Sequence, residues 1–276
     1  MTLAPGGPIR ILSSMSAPRI ETDSPASSPS AERRPHPIER WYPEVSVGGF
    51  THVDATVAFY ARINSLLQPS SVVLDVGCGR GAAVDDPVPW RRDLQLLKGK
   101  CARVIGADVD PGAAENPWID EFHVIEGNRL PLPDASVDLC FADAVVEHLE
   151  DVDVFFSECS RVLRPEGHLL VRTPNTWNYA TVATRLIPNR FHARVLARVQ
   201  PTRKEEDVFP TVYRCNTARK LRSELERHGM EAVVVPFESE PAYLSFSRGL
   251  YALGVLHQRY APPFLRRTLM AFGTKR

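Results

Sequence analysis

At 276 residues, with 43% hydrophobic and 24% charged side chains, the chain has the make-up of a globular protein with a sizeable core, which excludes a fibrous or wholly disordered one. Lysine plus arginine balances aspartate plus glutamate at 33 each, so no broad electrostatic field draws the chain to nucleic acid or anionic lipid. No apolar run reaches the length of a membrane span, and the five cysteines include no C-x-x-C pair, which argues against zinc and disulfides and for a reducing, cytoplasmic setting.

Residues 1–40 are rich in proline, serine and alanine, with Ser24-Pro25, Ser28-Pro29 and Pro35-His36-Pro37 as breaks. Such a segment buries too little apolar surface to offset the entropy of ordering it, so a flexible leader is expected. It lacks the continuous apolar block of a signal peptide. Residues 41–276 then read as one domain. A helix is expected from about Val53 to Leu67, with Val53, Val57, Tyr60, Ile63 and Leu67 recurring at helical spacing.

Next, Val72-Val73-Leu74-Asp75-Val76 is an apolar strand that runs into Gly77-Cys78-Gly79-Arg80-Gly81. Glycines lack a Cβ, so this turn can take positive φ and let backbone approach a nucleotide-type ligand. A dinucleotide-binding turn needs Gly-x-Gly-x-x-Gly opening a helix. Here the spacing is Gly77-x-Gly79-x-Gly81, with an aspartate two residues ahead, which resembles motif I of the class I S-adenosylmethionine-dependent methyltransferases.

Three later segments extend that resemblance. Arg103-Val104-Ile105-Gly106-Ala107-Asp108 is a short strand ending in an acid, and a carboxylate there can accept both ribose hydroxyls. Asp110 before Pro111-Gly112 reads as a turn starter. Residues 122–139, including Leu130-Pro131-Leu132-Pro133-Asp134, resemble the family's third-strand loop and its "LPFPDxSFD" entry to strand four. Ala142-Asp143 and Val146-Glu147-His148-Leu149 resemble the "VLEHL" segment that ends strand four. An amphipathic helix through Val152, Phe155, Phe156, Cys159, Val162 and Leu163 follows, then a fifth strand over His168–Thr173.

The resemblance covers residues 70–175 and implies an α/β, Rossmann-like, doubly wound, mostly parallel sheet that binds S-adenosylmethionine and releases S-adenosylhomocysteine. It places the cofactor against Asp75, Gly77, Cys78, Gly79 and Arg80, against Asp108 and Val109, and against Ala142 and Asp143. The loop Glu126-Gly127-Asn128 would read the adenine amine, through either Glu126 or Asn128. Tyr42 and Tyr60 either reach the donor's methionine end or, as aromatics on an apolar stripe more often do, pack in the core. One departure is evident: Pro87 and Pro89 keep a helix from starting directly after the glycine turn, so it is expected at about Trp90–Lys98, and Arg80, Asp85 or Asp86 would contact the cofactor in an altered way.

Beyond strand five, residues 176–216 carry Arg185, Arg190, His192, Arg194 and Arg198 and are expected to form an α-helical substrate lid. Thr217 reads as the N-cap of a helix over Ala218–His228, with Glu231–Phe237 as a sixth strand and a docking helix at about Leu250–Tyr260 that uses Tyr243, Phe246, Tyr251 and Leu253.

The expected activity is methyl transfer to a small-molecule acceptor, most plainly at oxygen, with nitrogen or carbon as alternatives. His148 is the candidate base because imidazole titrates near neutrality. Asp143, His192 and Tyr213 are the other candidates. A non-catalytic methyltransferase-fold binding protein and an NAD-dependent dehydrogenase are the rival classes. No metal, nucleic-acid partner or membrane insertion is expected, and a homodimer is compatible with the sequence.

Overall fold

The computed structural model describes residues 37–127, 129–179, 181 and 211–276. Asn128, Ala180, residues 1–36 of the expected leader and residues 182–210 of the expected lid lie outside them, with His192, Arg185, Arg190, Arg194 and Arg198. The chain runs α1 (Pro37–Trp41), α2 (Ala55–Leu66), β1 (Val72–Val76), α3 (Pro89–Gln95), β2 (Arg103–Asp108), β3 (Glu121–Val124) and β4 (Val137–Asp143). It continues through α4 (Val152–Val162), β5 (Leu163–Pro174), α5 (Ala218–Arg227), β6 (Met230–Phe237), α6 (Arg248–Tyr260) and β7 (Thr268–Lys275).

The strands form one sheet in the order β3-β2-β1-β4-β5-β7-β6. The first five pair in parallel, whereas β7 is antiparallel to both β5 and β6. Sheets covered on both faces read as continuous apolar runs because alternate side chains enter different layers. Leu74 therefore packs in a cluster with Phe156, Val162 and Leu221, while its neighbour Val73 packs with Phe59, Ile63 and Leu139. The doubly wound, mostly parallel arrangement is the one the sequence implies.

Several elements differ from the expectation. The seventh strand was not anticipated. Its apolar run Leu269-Met270-Ala271 is buried between β5 and β6, a pairing set by remote residues, about a hundred positions away on the β5 side, and by no local turn. In α2 the buried stripe is Phe59, Tyr60 and Ile63, so Val57 is not part of it. In α6 Tyr251 is buried as expected, but Phe246 and Leu253 are exposed. Strand five begins earlier, at Leu163, and α3 starts with Pro89 in its first turn, where a missing N–H costs nothing.

α2 is anchored by Asp54, whose Oδ1 accepts the N–H groups of Thr56 and Val57 at 2.8 and 2.9 Å. The same carboxylate takes Arg91 Nη1 of α3 at 2.5 Å. This bond fixes the two helices to each other at the carboxyl edge of the sheet.

Candidate active site

In open α/β sheets ligands collect at the carboxyl ends of the strands. A cavity of about 250 Å³ lies there, and its lining includes Tyr60, Asp75, Cys78, Gly81, Trp118 and Asp143. Asp75 lies opposite Phe141 in the β1–β4 register, which puts Asp143 two residues further along the adjacent strand.

Gly79 has φ +52°, and a Cβ built on it would find nothing within 4 Å, so the turn presents open backbone. Its N–H donates to Asp108 Oδ2 at 2.9 Å, while Asp108 Oδ1 accepts the Asp110 N–H at 2.9 Å. This buried carboxylate thus joins the first turn to the end of β2 and keeps lone pairs for further donors. Asp110 caps a helical turn through Gly112 N–H at 2.8 Å and pairs with Arg80 at 2.9 Å, so Arg80 turns toward solvent.

The delayed helix leaves the glycine turn to be held from another side. Asn116, in the loop after β2, donates Nδ2 to the carbonyls of Cys78 and Gly79 at 2.9 and 3.1 Å. Trp118 donates its indole N–H to the Gly81 carbonyl at 3.0 Å. Gly81, at φ +79°, has no room for a Cβ: Asn116 and Trp118 atoms would stand 2.7 Å from it. Asp86 does not face this cavity's lining and is held instead by Arg91 at 2.7 Å and Gln95 at 3.0 Å.

Asp143 is bound at both oxygens. Arg172 of β5 grips it through Nε and Nη2 at 2.6 and 2.5 Å, and the Tyr60 hydroxyl donates to Oδ2 at 3.2 Å. Arg172 also donates Nη1 to Thr56 Oγ1 at 2.9 Å and lies over the ring of Phe59. Burial, then the charges of Asp143 and Asp75, raises the Tyr60 hydroxyl's pKa well above its ordinary value, so it stays a donor.

Asp75 is the contrasting group. Among the described residues no hydrogen-bond donor reaches its carboxyl, and burial, followed by the negative charges of Asp143 and Asp108, pushes its pKa well above the usual carboxylate range. Burial likewise raises the Cys78 thiol, which stays protonated and unreactive.

The other sequence candidates are placed less centrally. Val109 is exposed, and Glu126 and Gly127 are exposed in the loop after β3. Ala142 is buried within β4. His148 ends a short helical turn after β4, half-buried, and is not among the residues lining the 250 Å³ cavity. Its neighbour Glu147 is buried and accepts the Thr173 hydroxyl at 2.8 Å, while its carbonyl takes the N–H groups of Val212 and Tyr213. That turn fastens the end of β5 to the returning chain. Sequence reasoning missed Arg172, Asn116 and Trp118. A lone arginine near the end of a buried strand was the available signal for the first.

A second cavity of about 380 Å³ opens at the carboxyl end of β6 between Tyr42, Val53, Phe237, Glu238 and Arg266. It shares no lining residue with the first.

Comparison with known proteins gives this geometry a family. Residues 74–171 match the family model Methyltransf_11, a methyltransferase domain. A probable S-adenosylmethionine-dependent methyltransferase of Mycolicibacterium smegmatis is 40% identical over 137 residues, 47% of this chain and 48% of that protein. A malonyl-[acyl-carrier protein] O-methyltransferase of Yersinia pestis is 38% identical over 106 residues, 37% of this chain and 36% of that one. The structure of geranyl diphosphate C-methyltransferase from Streptomyces coelicolor A3(2), with Mg2+, geranyl diphosphate and S-adenosyl-L-homocysteine, superposes with a TM-score of 0.51 at 15% identity, covering 80% of this chain and 77% of that one. The chain spans about half the length of the first curated relatives it matches.

The sheet order, the glycine turn and these matches define the class. Residues 74–171 make up a methyltransferase domain of the S-adenosylmethionine-dependent kind, whose cofactor is S-adenosylmethionine. The site's own residues fit that cofactor: Asp108 offers acceptor lone pairs for ribose hydroxyls, the open backbone at Gly79 leaves room for the ligand, and the unpartnered carboxyl of Asp75 opens on a cavity that a cation would suit.

Proposed function

We propose that this chain transfers a methyl group from S-adenosylmethionine to the oxygen of a small-molecule acceptor in the cytoplasm. The observation that carries the reading is the unpartnered, half-buried carboxyl of Asp75 beside the Gly77–Gly81 turn, with Asp108 at the neighbouring strand end. The donor, when bound, supplies a methyl already activated on a positively charged sulfur. The chain's residues then have to position and desolvate. Asp108 holds the ribose, Asp75 offers the negative charge that favours a cation, and the Tyr60–Asp143–Arg172 chain fixes one wall.

An acceptor hydroxyl loses its proton as the new bond forms, and His148, half-buried in the turn after β4, is the base we assign to it. Similarity to a malonyl-[acyl-carrier protein] O-methyltransferase supports oxygen as the acceptor atom. The five cysteines, all unpaired, support a reducing compartment.

Calorimetry with S-adenosylhomocysteine tests the cofactor half. The parent should bind, and Asp108→Ala should bind about 10–100-fold more weakly, the worth of hydrogen bonds to a charged group. Equal heats, or no binding by either, would remove the reading. Incubation with isotopically labelled donor and a cell extract should label one small product, and the labelled atom decides between oxygen, nitrogen and carbon. His148→Gln should then cut turnover by about 10²–10⁴-fold and spare donor affinity. Parallel loss of both would assign His148 to structure.

A further inference from the structure

The second cavity, of about 380 Å³, has the volume of a small-molecule site. Four parts of the chain meet around it: the segment between α1 and α2, the end of β6, the last turn of α6 and the residues entering β7. Val53, Phe237 and the ring of Tyr42 make part of its wall apolar, and Arg259 and Arg266 make another part cationic.

These two arginines are unlike those of the scaffold. Arg91, Arg161 and Arg172 are each held by carboxylates, and Arg172 grips Asp143 along its Nε–Nη2 edge. Among the described residues no carboxylate forms an ion pair with Arg259 or Arg266. Arg259 lies over the Trp41 ring at 5.9 Å with its side chain exposed. Arg266 donates Nη1 to the Pro236 carbonyl at 3.2 Å, but its Nε is buried and has no acceptor. A buried donor left unmade costs about 1–3 kcal/mol and calls for a reason. The Nε–Nη2 edge is the fork that fits an oxyanion with two parallel hydrogen bonds.

The acids nearby do not fill that edge. Glu238 is the one carboxylate in the lining, and its Oε2 accepts the Arg267 backbone N–H at 2.5 Å and stands 3.6 Å from His257 Nε2. Burial raises its pKa, which lessens its charge against an anion. Glu44 is taken by His52 Nδ1 at 2.7 Å and Glu240 by the Thr51 hydroxyl at 3.0 Å, and neither lines the cavity. What remains is a surplus of cationic donors beside an apolar wall.

We propose that this cavity binds a small amphipathic anion, an apolar or aromatic body bearing a carboxylate or phosphate, with the head on Arg266 beside Arg259 and the body against Val53 and Phe237. The site shares no lining residue with the donor cavity and does not depend on the proposed methyl transfer.

Calorimetry of the full chain with benzoate, phenyl phosphate and uncharged benzamide tests the proposal, with and without saturating S-adenosylhomocysteine. The preferred anion should bind at least about tenfold more tightly than benzamide and lose affinity with added salt, and the tighter of the two names the head. Arg266→Gln should weaken that anion about 10–100-fold and leave benzamide unchanged, while Arg266→Lys, which keeps the charge without the fork, should fall between. Arg259→Gln, at an exposed charge, should cost about two- to fivefold. Arg248→Gln, at the other end of α6 and outside the lining, should change nothing. Circular dichroism checks that each variant folds, and Arg259→Gln with Arg266→Lys carries the test if Arg266→Gln does not. The proposal is overturned if neither anion binds, if benzamide binds as tightly, or if the Arg259 and Arg266 variants bind like the parent. Displacement of benzoate by S-adenosylhomocysteine would put the anion in the donor cavity and overturn it too. A parent that binds benzoate but no S-adenosylhomocysteine would count against the proposed enzyme alone.

Discussion

Asp75 at the end of β1 and Asp143 near it at the end of β4 border one cavity, yet their surroundings are opposite. Asp143 has a guanidinium on both oxygens and a tyrosine hydroxyl besides, whereas Asp75 has no donor among the described residues. A buried charge that is paired belongs to the architecture, since removing its partner strands it. A buried carboxyl left open costs stability and is retained where a ligand completes it. The β4–β5 side of the site therefore has the bonding of a scaffold, and the proposed function assigns the β1 side to the cationic donor.

The sharpest way to break that division is to remove Arg172. Arg172→Met leaves Asp143 half-buried with only the Tyr60 hydroxyl as partner, and should cost about 2–3 kcal/mol in urea unfolding, below the range for a fully buried pair. Adding Asp143→Asn should restore much of the loss, because the stranded charge goes with it. A single variant as stable as its parent would mean the pair is solvated and the scaffold lies elsewhere.

Asp75→Asn probes the receptor side, with the opposite sign. The carboxyl's folded pKa is raised above its unfolded value of about 3.9, so the stability it contributes is complete below about pH 4 and fades as pH rises through the folded pKa. At pH 8 the asparagine variant should therefore unfold at higher urea than the parent. Its affinity for S-adenosylmethionine should nonetheless drop on the order of tenfold, one partly screened charge pair. The parent's affinity for the cationic donor should rise with pH as Asp75 ionises, the rise should be shallower for uncharged-sulfur S-adenosylhomocysteine, and both slopes should flatten in the variant. A variant that loses stability at pH 8 would return Asp75 to the scaffold.

The same division explains what could be read from the sequence. Asp75, the glycine turn and Asp108 lie on the receptor side, where short local runs of strand, turn and acid carry the chemistry, and each was legible. Arg172 was not, because its partner Asp143 lies 29 positions earlier and the strand around it reads only as buried apolar sequence. β7 was hidden for a similar reason: the four apolar residues Leu269–Phe272 have no turn to mark a hairpin, and both neighbouring strands are remote in the chain. In α6 the helical period was evident, but two apolar faces give no hint of which one the core takes.

The smallest expected effect falls where this chain departs from the family pattern. Pro87 and Pro89 move α3 away from the glycine turn, so the turn is strapped by Asn116 and Trp118 from the loop after β2. Trp118→Phe keeps most of the ring and deletes only the N–H that reaches the Gly81 carbonyl. It should cost about 1 kcal/mol in urea unfolding and weaken the donor several-fold, since the turn then holds its open backbone less firmly. Asn116→Ala removes donors to two carbonyls and the acceptor for the Trp118 backbone N–H, so it should cost more on both counts. If Trp118→Phe leaves donor affinity untouched while Asn116→Ala lowers it, the indole serves only the loop, and the receptor side is held by the amide alone.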